Sequence, residues 1–514
     1  MRSTRACVLV LAVLLAQAVG NPLRSGAQAP TTVVIAQSQD IDSGDPQKSA
    51  SVQTWNPLIN IYDTLIARDA QLQLKPGLAL SWRMASPTVW EFALRRGVRF
   101  HDGEPFNAAA VKFSLDRLVD PQTKSPLAGL FRSVTAVTAV DEQTIRITTS
   151  APAPFLPRIL AYHAYILPPR YVQKNGDLGL ARHPVGTGPY QFVAWVKDDH
   201  LEMTANPNYW GGRPRIDHVI VRVVPNEASR LAELLSGSAQ LINLVPPEEF
   251  GPIQRSPRAK LVSAPSASLY YVLFNLVNIA SNRPLADKRV RQALNYAVDR
   301  KTIIDTIMRG VGDQFATFCT AAAFGCDASI APYPYDPDRA RALLKDAGFA
   351  NGFDMTIATS SGGYPGDRDI TLAVADQLGR VGVRAQVVVA DLGLILSEAT
   401  QKKLPQDAWF NRITDVFGYA GRASVTLFHS TRAVVPMWVP GNKQFDGLLD
   451  GAETTLDENA SKEMYRRAEL LFKDEAPAMA LFTAPNVYGL SRNLNWTPRM
   501  DLWLTMFDAS YTSQ

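Results

Sequence analysis

Cysteine is scarce in this chain: there are three in 514 residues, and one of them, Cys7, lies within the first ten. Signatures of the common catalytic centres are missing as well, with no HExxH, GxSxG, CxxC or GxxxxGK[ST] run, which removes the usual zinc, serine, redox and nucleotide chemistries. The six histidines, His101, His163, His183, His200, His218 and His429, show no metal-ligand spacing with one another. No block of like charge occurs, and removing Arg2, Arg5 and Arg24 of the leader from a formal charge of +4 leaves about +1, so nucleic acid is not an expected partner. No later apolar run is longer than the one near the N-terminus, and that one falls short of the ~20 residues needed to cross a bilayer. Internal repeats, low-complexity tracts and long linkers are absent too.

What is present begins with the N-terminus. MRSTRA carries two arginines, VLVLAVLLAQAV is a short apolar run, and small residues follow at AVG and AQA. This is the pattern of a secretory signal peptide over residues 1–29, with cleavage after Gly20 or Ala29. Cys7 precedes the apolar run, whereas a lipoprotein cysteine follows it, so a periplasmic protein without a lipid anchor is expected. In that oxidising compartment Cys319 and Cys326, seven apart in CTAAAFGC, are expected to form a disulfide, with two buried thiols as the alternative. No histidine accompanies them, which disfavours a metal.

Length and composition, 46% hydrophobic and 19% charged, call for two or three lobes. Alternation from Thr31 predicts an opening strand, and VQTWNPLINIYDTLIA reads as helical. LALSWRMASPTVWEFALRRGVRFHDG predicts a pair of strands. Ala109, Val111, Phe113, Leu115 and Leu118 predict a helix packed on them. GTGPY at 186–190 resembles a phosphate loop, but QFVAWVKDDHLEMTA behind it alternates with period two, so the stretch enters a hairpin and not a helix. EASRLAELLSGSAQLINLV predicts a helix stopped at Ser236–Gly237. After SLYYVLFNLVN the texture shifts to longer helices, KRVRQALNYAVDRKTIIDTIMRG among them, alternating with short β-branched runs, which suits a second, more parallel α/β lobe. Two lobes without a floppy linker enclose a cleft, where small-ligand sites preferentially lie. Nine Trp, sixteen Tyr and twenty-one Phe offer stiff contact area for binding.

Six stretches in order, IYDTLIARD with KPGLALSW (61–82), FALRRGVRFHDGEPFNAAAVKFSLDRL (92–118), VGTGPYQFVAW (185–195), NPNYWGGRPRIDHVIVRVV (206–224), LADKRVRQALNYAVDR (285–300) and YDPDRARALLKDAGF (335–349), resemble the extracytoplasmic solute-binding proteins of family 5, the peptide/nickel class of ABC-importer receptors. The resemblance implies a two-lobe α/β fold of periplasmic-binding-protein type with an extra subdomain in lobe one. Crossings are expected near Tyr270–Asn275 and Ala478–Ala484. Lobe one would then hold 30–272 and 482–514, with the subdomain at about 62–184, and lobe two 273–481. Such a protein carries no cofactor and performs no chemistry. It captures a small-molecule or peptide ligand as a monomer and delivers it to membrane permease subunits.

In peptide-binding members an Asp of lobe two holds the ligand's ammonium. The matching segment here is DAWFNRITDVFGYAGRASVTLFHS (407–430), where Asp415, with Thr414 beside it, is the counterpart and Arg412-Ile413 replace the usual Gly-Trp. Dipeptide binders place an Arg for the ligand carboxylate where SSGGYPGDRD has Gly362 and Gly363; Arg412 or Arg368 is the substitute source of charge. Trp55, Asn243, Tyr271, Tyr364, Trp409 and Tyr419 complete the expected lining. A peptide or peptide-like cargo is the leading reading. The alternatives are a metal chelate, an opine or a sugar-like solute, a secreted hydrolase, and a chaperone or sensor on the same fold.

Overall fold

The computed structural model describes residues 31–265, 268–277, 279–281 and 283–512, so the expected signal peptide over 1–29 lies outside the described residues. Thr32–Gln37 alternates in burial over its first four residues and pairs in parallel with His218–Val223, from Thr32 opposite His218 to Gln37 opposite Val223. Its other side pairs in parallel with Leu241–Ile242. The hairpin Tyr190–Val196/His200–Ala205 extends this sheet antiparallel, and Asn486–Ser491 with Ala259–Ala264 closes the far edge, giving seven strands. The first strand, the hairpin and the stop at Gly237 all fall where periodicity puts them. The helix Glu227–Ser236 ends with Gly237 in the left-handed region, φ 91°, where a Cβ would be strained.

A separate antiparallel sheet, in the order Ala79–Ser86, Val89–Leu94, Thr144–Thr149, Val134–Asp141, lies inside the interval 62–184. The helix Ala108–Val119 packs on it, capped by Asn107 Oδ1, which accepts from Ala110 N at 3.2 Å. Its buried face runs Ala108, Ala110, Val111, Ser114, Leu115 and Leu118, so Ala109 faces outward, one position off the expected stripe.

The second lobe is built on a mixed five-stranded sheet, in the order Val383–Val389, Phe353–Thr359, Ala408–Thr414, Ser268–Phe274, Ala478–Thr483. Its first three strands are parallel and the last two join antiparallel. Ser268–Phe274 is buried at all seven positions and lies whole in this sheet, so the change of sheet falls before Ser268 and not within Tyr270–Asn275. A run with no exposed position carries no mark of which sheet it joins.

Two expected helices are shorter than their apolar patterns. The first runs only Val52–Ile61, because the Ile61 carbonyl is taken by Gly188 N at 2.8 Å and the chain turns extended at Tyr62; Ile66–Arg68 is then a strand. The stretch 288–306 is two helices, Lys288–Tyr296 and Arg300–Thr306. The break comes at Asp299, whose carboxylate caps the second by accepting from Thr302 N at 3.1 Å.

Candidate functional site

Between the lobes lies a cavity of about 1220 Å³. The first lobe contributes Trp55 and Asn56 from the helix Val52–Ile61, Tyr162 and His163 from the helix Leu156–His163, and Asn243 just beyond the strand Leu241–Ile242. The second contributes the loop Ser360–Tyr364, Arg412 and Thr414 from the strand Ala408–Thr414, and Tyr419 and Arg422 around the start of the helix Ala420–Phe428.

The expected residues divide between cavity and core. Trp55, Asn243, Tyr364, Thr414 and Tyr419 line the cavity. Trp55 is 4% exposed and meets Tyr162 and His163 edge-on, with centroids 5.5 and 4.7 Å away. Tyr364 Oη donates to Asn411 Oδ1 at 3.2 Å, and Tyr419 stacks on Phe155 at 4.4 Å. Tyr271 and Trp409 do not line it. Both are inward-facing strand residues of the five-stranded sheet, and Tyr271 spends its hydroxyl on the Thr317 carbonyl at 3.2 Å.

Asp415 is also absent from this lining. It is 2% exposed, and its Oδ1 accepts from Phe417 N and Gly418 N, both at 3.0 Å, holding the turn that leads to Tyr419. Burial pushes its pKa up to about 6, against those two hydrogen bonds and the charges of Arg158 and Arg422. The loop with the two glycines has a carboxylate at its centre: Asp367 accepts from Ser360 Oγ at 2.6 Å and from the N–H groups of Gly362, Gly363 and Tyr364 at 3.0 to 3.1 Å. Arg368 points away from the cavity and is exposed, whereas Arg412 lines it.

Lining residues the sequence does not single out are Tyr162, Arg422 and Tyr488, and His163 is conspicuous there only for lacking metal-ligand spacing. Arg422 lies inside the 407–430 segment, seven residues after Asp415, and a charged residue in the first turn of an otherwise apolar helix is the available signal. Burial, with Arg422 and Arg68 nearby, drives the His163 imidazole well below its usual pKa, so it is neutral at physiological pH. Trp55 Nε1, Asn243 Oδ1, Arg412 Nε and Tyr488 Oη are buried without a hydrogen-bond partner among the described residues.

Contacts also cross between the lobes along the cavity wall. Arg68 donates to the Val416 carbonyl and Arg158 Nη1 to the Phe417 carbonyl at 3.3 Å, while Tyr162 meets Phe417 at 5.2 Å. Arg68 is held by Asp501 at 3.0 Å and Asp501 by Arg499 at 2.7 Å; against burial, the two cations keep that carboxyl below its usual range. Cys319 and Cys326 are bonded, with Cα atoms 6.1 Å apart.

The model of the bacterial extracellular solute-binding proteins, family 5, matches residues 73–433. The chain belongs to this family. It is 30% identical over 487 residues to the glutathione-binding protein GsiB of Escherichia coli K12, covering 92% of this chain and 93% of that one. Among solved structures, the periplasmic binding protein DppA of Helicobacter pylori in complex with peptide STSA superposes with a TM-score of 0.81 at 25% identity, over 93% of this chain and 98% of that one. The binding protein AgaA in complex with agropinic acid, from A. tumefacien R10, shares the fold with a TM-score of 0.81 at 23% identity, over 94% and 99% of the two chains. The family 5 chain is thus a two-lobe binding protein, and among its described residues no helix is long and apolar enough to cross a membrane.

Proposed function

We propose that this family 5 protein is the periplasmic binding component of an ABC importer, capturing a peptide or peptide-like solute between its lobes and handing it to membrane permease subunits. The observation that carries this is the cavity itself: aromatic walls from both lobes, with arginines between them, in a chain that matches solute-binding proteins along nearly its whole length. Lobe one is assigned to 31–265 and 485–512 with its subdomain about 62–184, and lobe two to the described residues from 268 to 484. The near-neutral mature chain acts as a monomer, after removal of its signal peptide, and does not bind nucleic acid.

Catalysis is not part of this reading. His163, the one histidine in the lining, is buried, neutral and packed among aromatic rings, and no nucleophile hydrogen-bonds to it among the described residues. A non-peptide cargo, such as an opine, is the second reading, favoured by the burial of Asp415 away from the cavity. Thermal denaturation with glutathione, the peptide Ser-Thr-Ser-Ala and agropinic acid tests both. A cargo at 100 times its dissociation constant stabilises the protein by about 2.7 kcal/mol. Stabilisation by glutathione or the peptide supports the first reading, and by agropinic acid alone the second. No stabilisation by any of the three, with turnover of a chromogenic ester or glycoside, would show a hydrolase.

A further inference from the structure

Five arginines line the cavity, Arg132, Arg230, Arg412, Arg422 and Arg432, against three carboxylates, Glu227, Asp391 and Glu453. All three carboxylates are engaged. Glu453 holds Arg432 together with Asp450, Glu227 lies 4.0 Å from Arg230, and Asp391 caps a helix by accepting from Leu394 N at 3.0 Å. Arg230 further donates to the Val224 and Pro225 carbonyls, and Arg132 stands exposed at the rim.

Arg412 and Arg422 remain without a carboxylate partner among the described residues. Arg412 Nη2 donates to Ser268 Oγ at 2.8 Å and Asn486 Oδ1 at 2.7 Å, but its Nε is buried and unpartnered. The Arg422 guanidinium makes no hydrogen bond among the described residues and lies 5.2 Å from the Phe417 ring centroid, half-buried in the cavity wall. Glu453 and Asp415 act on Arg422 only from beyond ion-pair distance, so both guanidiniums keep hydrogen-bonding capacity that a ligand anion can take up. Between the two arginines in sequence stands Asp415, whose carboxylate is turned out of the cavity and bonded to its own turn. The segment 407–430 therefore offers the cargo positive charge and no free carboxylate.

We infer that Arg412 and Arg422 receive a carboxylate of the cargo, so that this protein selects solutes by a carboxylate group and does not require an ammonium. The planar guanidinium fork matches a carboxylate with two parallel hydrogen bonds, which a neutral amide or ester cannot return at equal strength. This rests on the reading of the cavity as the cargo site.

The test is calorimetric titration of the mature protein with Ser-Thr-Ser-Ala as free acid, C-terminal amide and N-acetyl derivative, beside glutathione and agropinic acid. Amidation is expected to weaken binding roughly ten- to hundredfold, and acetylation by less than about threefold. Arg422→Gln should weaken the free acid by a similar factor and leave the amide unaffected, with Arg422→Lys intermediate and Arg412→Gln in the same direction. Unliganded Arg422→Gln should melt close to the wild-type temperature, because the guanidinium makes no hydrogen bond or close ion pair among the described residues; a Tm lower by several degrees would make the arginine structural and overturn the assignment. Equal binding of acid and amide overturns the inference while leaving the peptide reading intact. Binding of agropinic acid but no peptide, lost in Arg422→Gln, supports the inference and removes the peptide reading. Binding of none of the carboxylates overturns it.

Discussion

Asp415 keeps one oxygen on the N–H groups of Phe417 and Gly418, and burial lifts its pKa from 3.8 to about 6. Between those values the folded protein holds a proton that the unfolded chain has released. The associated stability is present below about pH 4 and is lost as pH rises through about 6, in total about 3 kcal/mol. Asp415→Asn retains the acceptor and cannot ionise. Its melting temperature should vary less than the wild type's between pH 4 and 7 and be at least equal to it at pH 7.5; a less stable variant at pH 7.5 would mean that the charge is used within the fold, by Arg158 and Arg422. Gly188 makes a second residue-level case. Its φ is ordinary, yet a Cβ there would lie 2.6 Å from the carbonyl of Ile61, so the glycine of GTGPY permits close approach to a helix end and not a tight turn. Gly188→Ala should cost about 1–3 kcal/mol in chemical denaturation, and a cost near zero would show that the helix end can move aside. Residue type made Asp415 and Gly188 conspicuous in the sequence, but their jobs depend on backbone groups that period and spacing do not locate.

Elements were legible where one face meets water. The hairpin 190–205 and the helix 108–119 show their periods because one side is polar, whereas Ser268–Phe274 is buried on both sides and its partners, Ala408–Thr414 and Ala478–Thr483, lie far along the chain. For the same reason the cavity wall was read only in part: Trp409 and Tyr271 are aromatic and near the right segments, but strand alternation against an unseen partner turns them into the core. The disulfide loop shows an element acting on the site at a distance. Phe324, inside the loop closed by Cys319 and Cys326, accepts from Ala420 N at 2.8 Å and donates to the Gly418 carbonyl at 3.0 Å, flanking Tyr419 on the cavity wall. Replacing both cysteines by serine frees an eight-residue loop in the unfolded state and should cost about 2.5 kcal/mol. Reductant should lower the wild-type melting temperature toward that of the double variant and leave the variant unmoved. A wild type indifferent to reductant would place the loop's stability in its packing alone.

At the scale of the whole molecule, a receptor must close only when loaded, which requires the closed state to be held by few contacts of its own. Two of those contacts fall on one turn of the second lobe, Asp415–Gly418: its carbonyls receive Arg68 and Arg158 from the first lobe, and Asp415 fixes its shape from behind. Arg68 belongs to a buried network with Asp501 and Arg499, so its loss would disturb the first lobe itself. Arg158 is free of that network, does not line the cargo cavity, and reaches the Phe417 carbonyl directly. Arg158→Gln therefore separates closure from recognition. Losing one charged hydrogen bond across the lobes removes about 1–1.5 kcal/mol from the closed state alone. Affinity for any cargo should fall about five- to tenfold, by the same factor for cargoes that differ in their contacts with Arg422, because the deficit lies in the closing equilibrium. Titration of the variant with two cargoes, with small-angle scattering of the free and loaded protein, checks this. A loss that differs between cargoes would put Arg158 in the recognition site, and an unchanged affinity would mean that closure is carried by the aromatic contacts of Phe155 with Tyr419 and of Tyr162 with Phe417.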